Sequence, residues 1–180
     1  QGFNYYRTSK KCLTGSDRVA EIAKKTKYDH YINIQGDEPI FNPNDIRKLV
    51  KEKNKFKKNV LLGYTDITEK KDVFNRSIPK VVVDQNNFLV FASRNANLLK
   101  KNENDKRFYR QVLAYCFPRK YIIKFSNVKN KTFFEKKEDI EILRFLELGI
   151  KVKMIKMSRK SISVDTLKDL NKVRKLINQA

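Results

Sequence analysis

Two acidic motifs lie far apart in this chain, each after an apolar, strand-like run. Gln35-Gly36-Asp37-Glu38-Pro39 follows Tyr31-Ile32-Asn33-Ile34, and Ser163-Val164-Asp165-Thr166 follows the run 152–157 and a short basic linker. In an open α/β sheet, ligands bind in the crevice outside the carboxyl ends of strands. Carboxylates from two such ends can hold one hard divalent cation over a triphosphate, and Mg²⁺ prefers one or two carboxylates completed by phosphate oxygens. Asp37 and Asp165 are therefore the candidate metal ligands. Each also has a plainer reading: an acidic turn is usually just solvated, and Asp165 stands where a helix N-cap would. Their shared placement at strand ends favours the metal.

Other residue groups carry weaker signals. Thr14-Gly15-Ser16-Asp17-Arg18 joins a small-residue turn to a helix start, where backbone N–H groups can meet an anion or a nucleobase edge; a simple capping turn is as good an account. Arg18 has Glu21 on its own face as a partner. Arg94 ends a strand and has the fork geometry to grip a carboxylate, although a surface arginine is the commoner case. Glu135, Glu138 and Glu141 recur at spacing three, the pattern of a solvated helix face, with Arg144 placed to pair with Glu141. His30 has no partner pattern, and Cys12 has no nearby base that would make it a nucleophile.

The elements that must position these groups alternate between strand and helix patterns. Residues 3–8 read as a strand, 17–27 as a helix, 30–34 as a strand, 43–53 as a helix opened by Asn42-Pro43, and 59–65 as a strand. Residues 80–84 and 88–92 flank Gln85-Asn86-Asn87, a hairpin turn. A polar loop at 95–106 precedes a strand at 111–117, and 118–125 opens a helix. A single helix is expected over 135–148, ended by Gly149. A strand at 151–157 and a helix at 165–178 close the chain. This order predicts one α/β domain with a mostly parallel sheet, helices on both faces and a hairpin insertion.

Composition excludes some classes of function. The chain has 180 residues, of which 40% are hydrophobic, enough for one packed domain. No apolar run is long enough to span a bilayer. Two cysteines without ligand spacing and one histidine argue against structural zinc and fit a reducing, cytoplasmic setting. The net charge of +21 suggests a nucleic-acid-binding module. Lysine is spread along the whole chain, however, beside abundant Asn and Ile, which is the usage of an AT-rich genome; no nucleic acid is expected as a partner. No P-loop or GxGxxG is present.

In order, TGSDRVAE (14–21), NIQGDEP (33–39), PKVVVD (79–84), ASR (92–94), FEKKEDIEILRFLELG (134–149) and SVDTLKDLNKVR (163–174) resemble the 3-deoxy-manno-octulosonate cytidylyltransferase (CMP-Kdo synthetase) family. The resemblance spans nearly the whole chain. It implies a nucleotide-diphospho-sugar-transferase-like fold whose hairpin region serves a homodimer. It also implies a cytoplasmic reaction of CTP with the sugar acid Kdo, giving CMP-Kdo and pyrophosphate for lipopolysaccharide synthesis. By the same resemblance, Asp37 and Asp165 bind Mg²⁺, and Thr14, Gly15, Ser16, Arg18 and Gln35 meet the nucleotide. Arg94, Tyr115 and Glu135 meet the sugar, with Arg94 also counted among the catalytic residues beside the two aspartates. The family's opening strand and R-x-x-S-x-R-x-x-x-K loop have no counterpart here, so a truncated domain, weak or inactive alone, is expected. Gln111 stands where the family has His, Ile142 where it has Gln, and no Ile-Pro follows Arg94. These departures fall on the sugar side and keep an amino-Kdo or sialic-like acid open as the substrate.

Overall fold

The computed structural model describes residues 2–96, 108–159, 162–164 and 166–178. Thirteen elements run in the order α1 (Gly15–Lys25), β1 (His30–Ile34), α2 (Pro43–Lys55), β2 (Val60–Ile67), α3 (Lys70–Phe74), β3 (Lys80–Val83), β4 (Leu89–Ser93), β5 (Phe108–Pro118), α4 (Arg119–Ser126), α5 (Phe133–Glu138), α6 (Ile142–Glu147), β6 (Val152–Lys156) and α7 (Leu167–Asn178). The caps are those the sequence advertises. Thr14 accepts from the Asp17 N–H at the start of α1, and Asn42 with Pro43 opens α2.

The six strands form one sheet in the order β4-β3-β5-β2-β6, with β1 also paired to β5. Only the β2–β6 pair is parallel; β1–β5, β2–β5, β3–β4 and β3–β5 are antiparallel. The expectation of a mostly parallel sheet is thus corrected. Strands β1, β2 and β6 do point the same way, as βαβ alternation requires. The long β5 runs against them between β1 and β2, which turns most pairs antiparallel.

One edge of β5 is taken by β2. The other is shared: β3 pairs at Tyr109 and Arg110, and β1 pairs from Ala114 to Pro118. Strand alternation then sends side chains to two cores. Tyr115 and Phe117 join the larger cluster with α1, α4 and α6, while Val112, Ala114 and Cys116 pack on the other face with Leu49 of α2.

Three further expectations change. Residues 3–8 form no strand and expose Phe3, Tyr5 and Tyr6. The helix expected over 135–148 is broken into α5 and α6 by Asp139, which adopts a left-handed backbone at φ 53°. Asp is one of the few residues that tolerates this conformation. The short α3 carried no apolar periodicity long enough to be read. The turn at 85–87 does close the β3–β4 hairpin, and the loop expected at 95–106 lies largely outside the described residues.

Candidate active site

A cavity of about 410 Å³ opens where β1 and β3 part along the shared edge of β5. At this split the β5 backbone lacks a strand partner, and side chains and turns substitute. The Gln35 N–H donates to the Leu113 carbonyl at 3.3 Å, and the Leu113 N–H donates to Glu38 Oε1 at 3.0 Å. The QGDEP turn therefore seats itself on the gap, with Gln35, Asp37 and Glu38 all lining the cavity. A second wall is the N-terminal turn of α1, through Thr14 and Gly15. A Cβ on Gly15 would stand 3.2 Å from Gln35 Nε2, so glycine here lets the two turns close on each other. The third wall is the α5–α6 corner, with Asp139, Ile140 and Glu141.

Asp37 Oδ1 is buried with no hydrogen-bond donor among the described residues. A lone carboxylate oxygen facing a polar cavity is a fitting donor for a hard cation. Among the described residues no cluster of three metal-ligating side chains occurs. Asp165 lies outside the described residues. Its neighbour Val164 donates its N–H to the Asp37 carbonyl at 2.8 Å, and Ser163 lines the cavity. The capping of α7 is performed by Thr166 and Asp169, which exchange hydrogen bonds at 2.7 and 3.3 Å.

Glu141 joins two walls. Its Oε2 accepts from the Ser16 N–H and its Oε1 from Gln35 Nε2, both at 2.9 Å. Burial pushes its carboxyl up, against the pull of the Ser16 amide and other donors. Tyr115, fully buried beside it, has its phenol pushed well above the ordinary value by burial and by the Glu141 charge. Gln111 donates to the Tyr115 hydroxyl at 3.3 Å, leaving its own Oε1 buried and without a donor.

Arg94 lines the cavity but differs from the expected open fork. Nε donates to Glu138 O, Nη1 to Arg76 O and Ser77 O, and Nη2 to Asp139 O, at 2.9 to 3.2 Å. Most of its donors are spent on carbonyls, so it offers a fixed positive charge more than a bidentate grip. Its own backbone is fixed by Lys80, a fully buried lysine whose Nζ donates to the carbonyls of Asn75, Ile78 and Arg94 at 2.7 to 2.9 Å.

Three expected residues stand elsewhere. Glu135 does not line the cavity; it is buried in an ion pair with Arg144 and completes the capping box of α5 with Thr132. Arg144 accordingly pairs with Glu135 and Asp17, not with Glu141. Arg18 also faces away, donating to Thr8 Oγ1 and the Ser9 carbonyl, while Glu21 pairs with Lys25. Ser16 sits behind the turn, fully buried. Sequence reasoning passed over Glu141 and Lys80 as binding or positioning groups. Glu141 was hidden in an apparent solvated stripe, and no pattern marks a lysine that will be buried.

The mixed sheet with helices on both faces is the nucleotide-diphospho-sugar-transferase fold, and the family match makes the chain a nucleotidyltransferase. The chain belongs to the cytidylyltransferase family, whose model matches residues 1–157. It is 30% identical to a 3-deoxy-manno-octulosonate cytidylyltransferase of Christiangramia forsetii, over 99% of this chain and 73% of that protein. It is 32% identical to the enzyme of the same name from Fusobacterium nucleatum, over 96% of this chain and 71% of that protein. A solved structure of CMP:2-keto-3-deoxy-manno-octonic acid synthetase complexed with CTP superposes with a TM-score of 0.84 at 28% identity, covering 93% of this chain and 69% of that one. A 4-diphosphocytidyl-2C-methyl-D-erythritol synthase from Anaerococcus prevotii shares the fold, with a TM-score of 0.59 at 14% identity, covering 97% of this chain and 69% of that one. Among the described residues, no helix is long and apolar enough to cross a membrane.

Proposed function

We propose that this chain transfers the cytidylyl group of CTP to Kdo, giving CMP-Kdo and pyrophosphate in the cytoplasm for lipopolysaccharide synthesis. The observation that carries the reading is the cavity at the strand split. It sets the unpartnered Asp37 Oδ1 opposite the α1 turn, in a chain whose relatives bear that enzyme's name. CTP enters against Thr14, Gly15 and Gln35, where the helix N-terminus favours anions. The sugar acid lies toward Arg94, Gln111 and Tyr115. The anomeric hydroxyl attacks the α-phosphorus, its proton is lost, and the bond to pyrophosphate breaks in line. The work of this chain is positioning and electrostatic stabilisation.

Asp37 and Asp165 are the residues that would hold Mg²⁺, and the bound ion supplies charge neutralisation on the phosphates. Arg94 supplies a fixed positive charge for the sugar carboxylate.

The test is release of pyrophosphate and formation of CMP-sugar from CTP, Kdo and Mg²⁺. Product with CTP but not with other nucleoside triphosphates is expected, at a low rate for this chain alone and a higher one when the family's opening strand and R-x-x-S-x-R-x-x-x-K loop are joined to it; no CMP-Kdo from the extended chain overturns the reading. The buried free acceptor Gln111 Oε1 supports a second reading, an amino-Kdo or sialic-like acid, because a nitrogen donor on the sugar can bond to it, and a charged one more strongly than a hydroxyl. The same assay run with an amino-Kdo decides between them by kcat/KM.

The pairing of copies into a homodimer is part of the proposal. Val90 on β4 and Phe133 and Phe134 on α5 are exposed, and the Phe91, Phe134 and Phe133 rings stack edge to face in a row. An apolar patch of this kind beside a hairpin fits a second copy of the chain.

A further inference from the structure

Arg144 is a fully buried cation whose bonds exceed what neutrality requires. It makes a two-bond fork to Glu135, Nε to Oε2 at 2.6 Å and Nη2 to Oε1 at 2.5 Å, and lies 3.8 Å over the Phe125 ring. Glu135 alone balances the charge. The remaining arm, Nη1, crosses from α6 to the first turn of α1 and meets Asp17 Oδ1 at 3.0 Å.

Asp17 passes the constraint to the cavity. Its Oδ2 accepts from the Thr14 hydroxyl at 2.9 Å, and its N–H donates back to Thr14 Oγ1 at 3.2 Å. Thr14 and Gly15 form the cavity wall. Just before α6, Glu141 takes the Ser16 N–H of the same turn. The turn 14–17 is thus gripped from the α6 side at two points, one anionic and one cationic.

We propose that Arg144 and Asp17 are positioning residues for the nucleotide. They hold turn 14–17 so that Thr14 and the backbone of Gly15 keep the orientation in which CTP is received. A planar guanidinium is suited to this because its fork serves Glu135 while the third arm stays aimed at Asp17. The inference rests on CTP being the nucleotide.

The test uses the full chain, with CTP binding measured by calorimetry and pyrophosphate release measured while each substrate is varied. Asp17→Asn keeps an acceptor for Thr14 and the helix cap but removes the charged partner of Arg144, which stays paired with Glu135. The Kd and KM for CTP are expected to rise about tenfold, with the sugar-acid KM within about twofold and Tm lower by only about 4 °C. Arg144→Lys, which keeps the charge but loses the fork, is expected to shift CTP binding in the same direction. Unchanged CTP binding in Asp17→Asn, or an equal rise in both KM values, overturns the inference alone. Failure of the unsubstituted protein to bind CTP overturns the cytidylyl-transfer reading and this inference with it.

Discussion

Asp37 Oδ1 and Lys80 Nζ are two buried polar atoms in opposite situations. The first has no partner among the described residues, whereas the second is satisfied by three carbonyls. Their substitutions should separate function from stability. Asp37→Asn is nearly isosteric and removes no hydrogen bond to Oδ1. It is expected to lower pyrophosphate release by about 10²- to 10³-fold while Tm stays within about 2 °C. A drop in Tm that parallels the loss of activity would argue that Asp37 is structural. Lys80→Met leaves three carbonyls without a donor and loosens Arg94. Urea denaturation should report a loss of about 2–4 kcal/mol. Burial, and then the Arg94 and Arg76 cations, already pull the Lys80 pKa down. The three carbonyls and the nearby Glu138 charge act against that pull.

Helix α1 is tied to the segment before it through Glu21, and that tie titrates. Glu21 is held down to about 2 by the Ser9 N–H first and by Lys25 next. Because the folded value lies below the ordinary 4.5, the stabilisation is complete above pH 4.5 and is lost as pH falls toward 2. The protection factor of the Ser9 amide against hydrogen exchange is expected to fall across that window. In Glu21→Gln it should be low and flat throughout.

In β2, Gly63 sits at a bulge, and a Cβ there would stand 2.4 Å from Met157 Sδ and 3.2 Å from Val112 Cβ. Gly63→Ala is expected to cost about 1–3 kcal/mol. Combined with Met157→Ala, it should cost less than the sum of the single changes by about 1 kcal/mol, because the shortened side chain makes room. Strict additivity in denaturation would place the strain elsewhere.

At the scale of the whole molecule, the β4–α5 surface exposes apolar side chains, Val90 on the strand and Phe133 on the helix. If a second copy covers it, sedimentation equilibrium should give a dimer, and Val90→Lys with Phe133→Lys should give a folded monomer with unchanged secondary structure. Both side chains are more than half exposed in the single chain, so their loss does not open its core. A monomer before substitution would remove the patch as the dimer surface. The net charge of +21 makes the comparison salt-sensitive, since like-charged copies repel more strongly at low ionic strength.

Local chemistry was enough to determine much of this protein. Strand β1 was legible from its apolar run, α1 and α2 from Thr14 and Asn42-Pro43, and the hairpin from its polar turn. These depend on neighbours within a few residues. The QGDEP turn could be named as a site because Gly, two acids and Pro impose a local shape wherever they stand. What tertiary structure alone decided were the relations between distant segments. No short-range signal announces that β5 will run between β1 and β2, yet that placement reverses the sheet's pairing and opens the cavity. The break at Asp139 follows from a polar residue tolerating a left-handed turn in a segment whose periodicity says helix. The fates of Glu135, Glu141 and Arg144, all on what read as one solvated face, were set by which buried partner each could reach. Burial makes an unpaired charge costly, and the partners that satisfy it, Asp17 and Ser16, lie more than a hundred residues away in the chain.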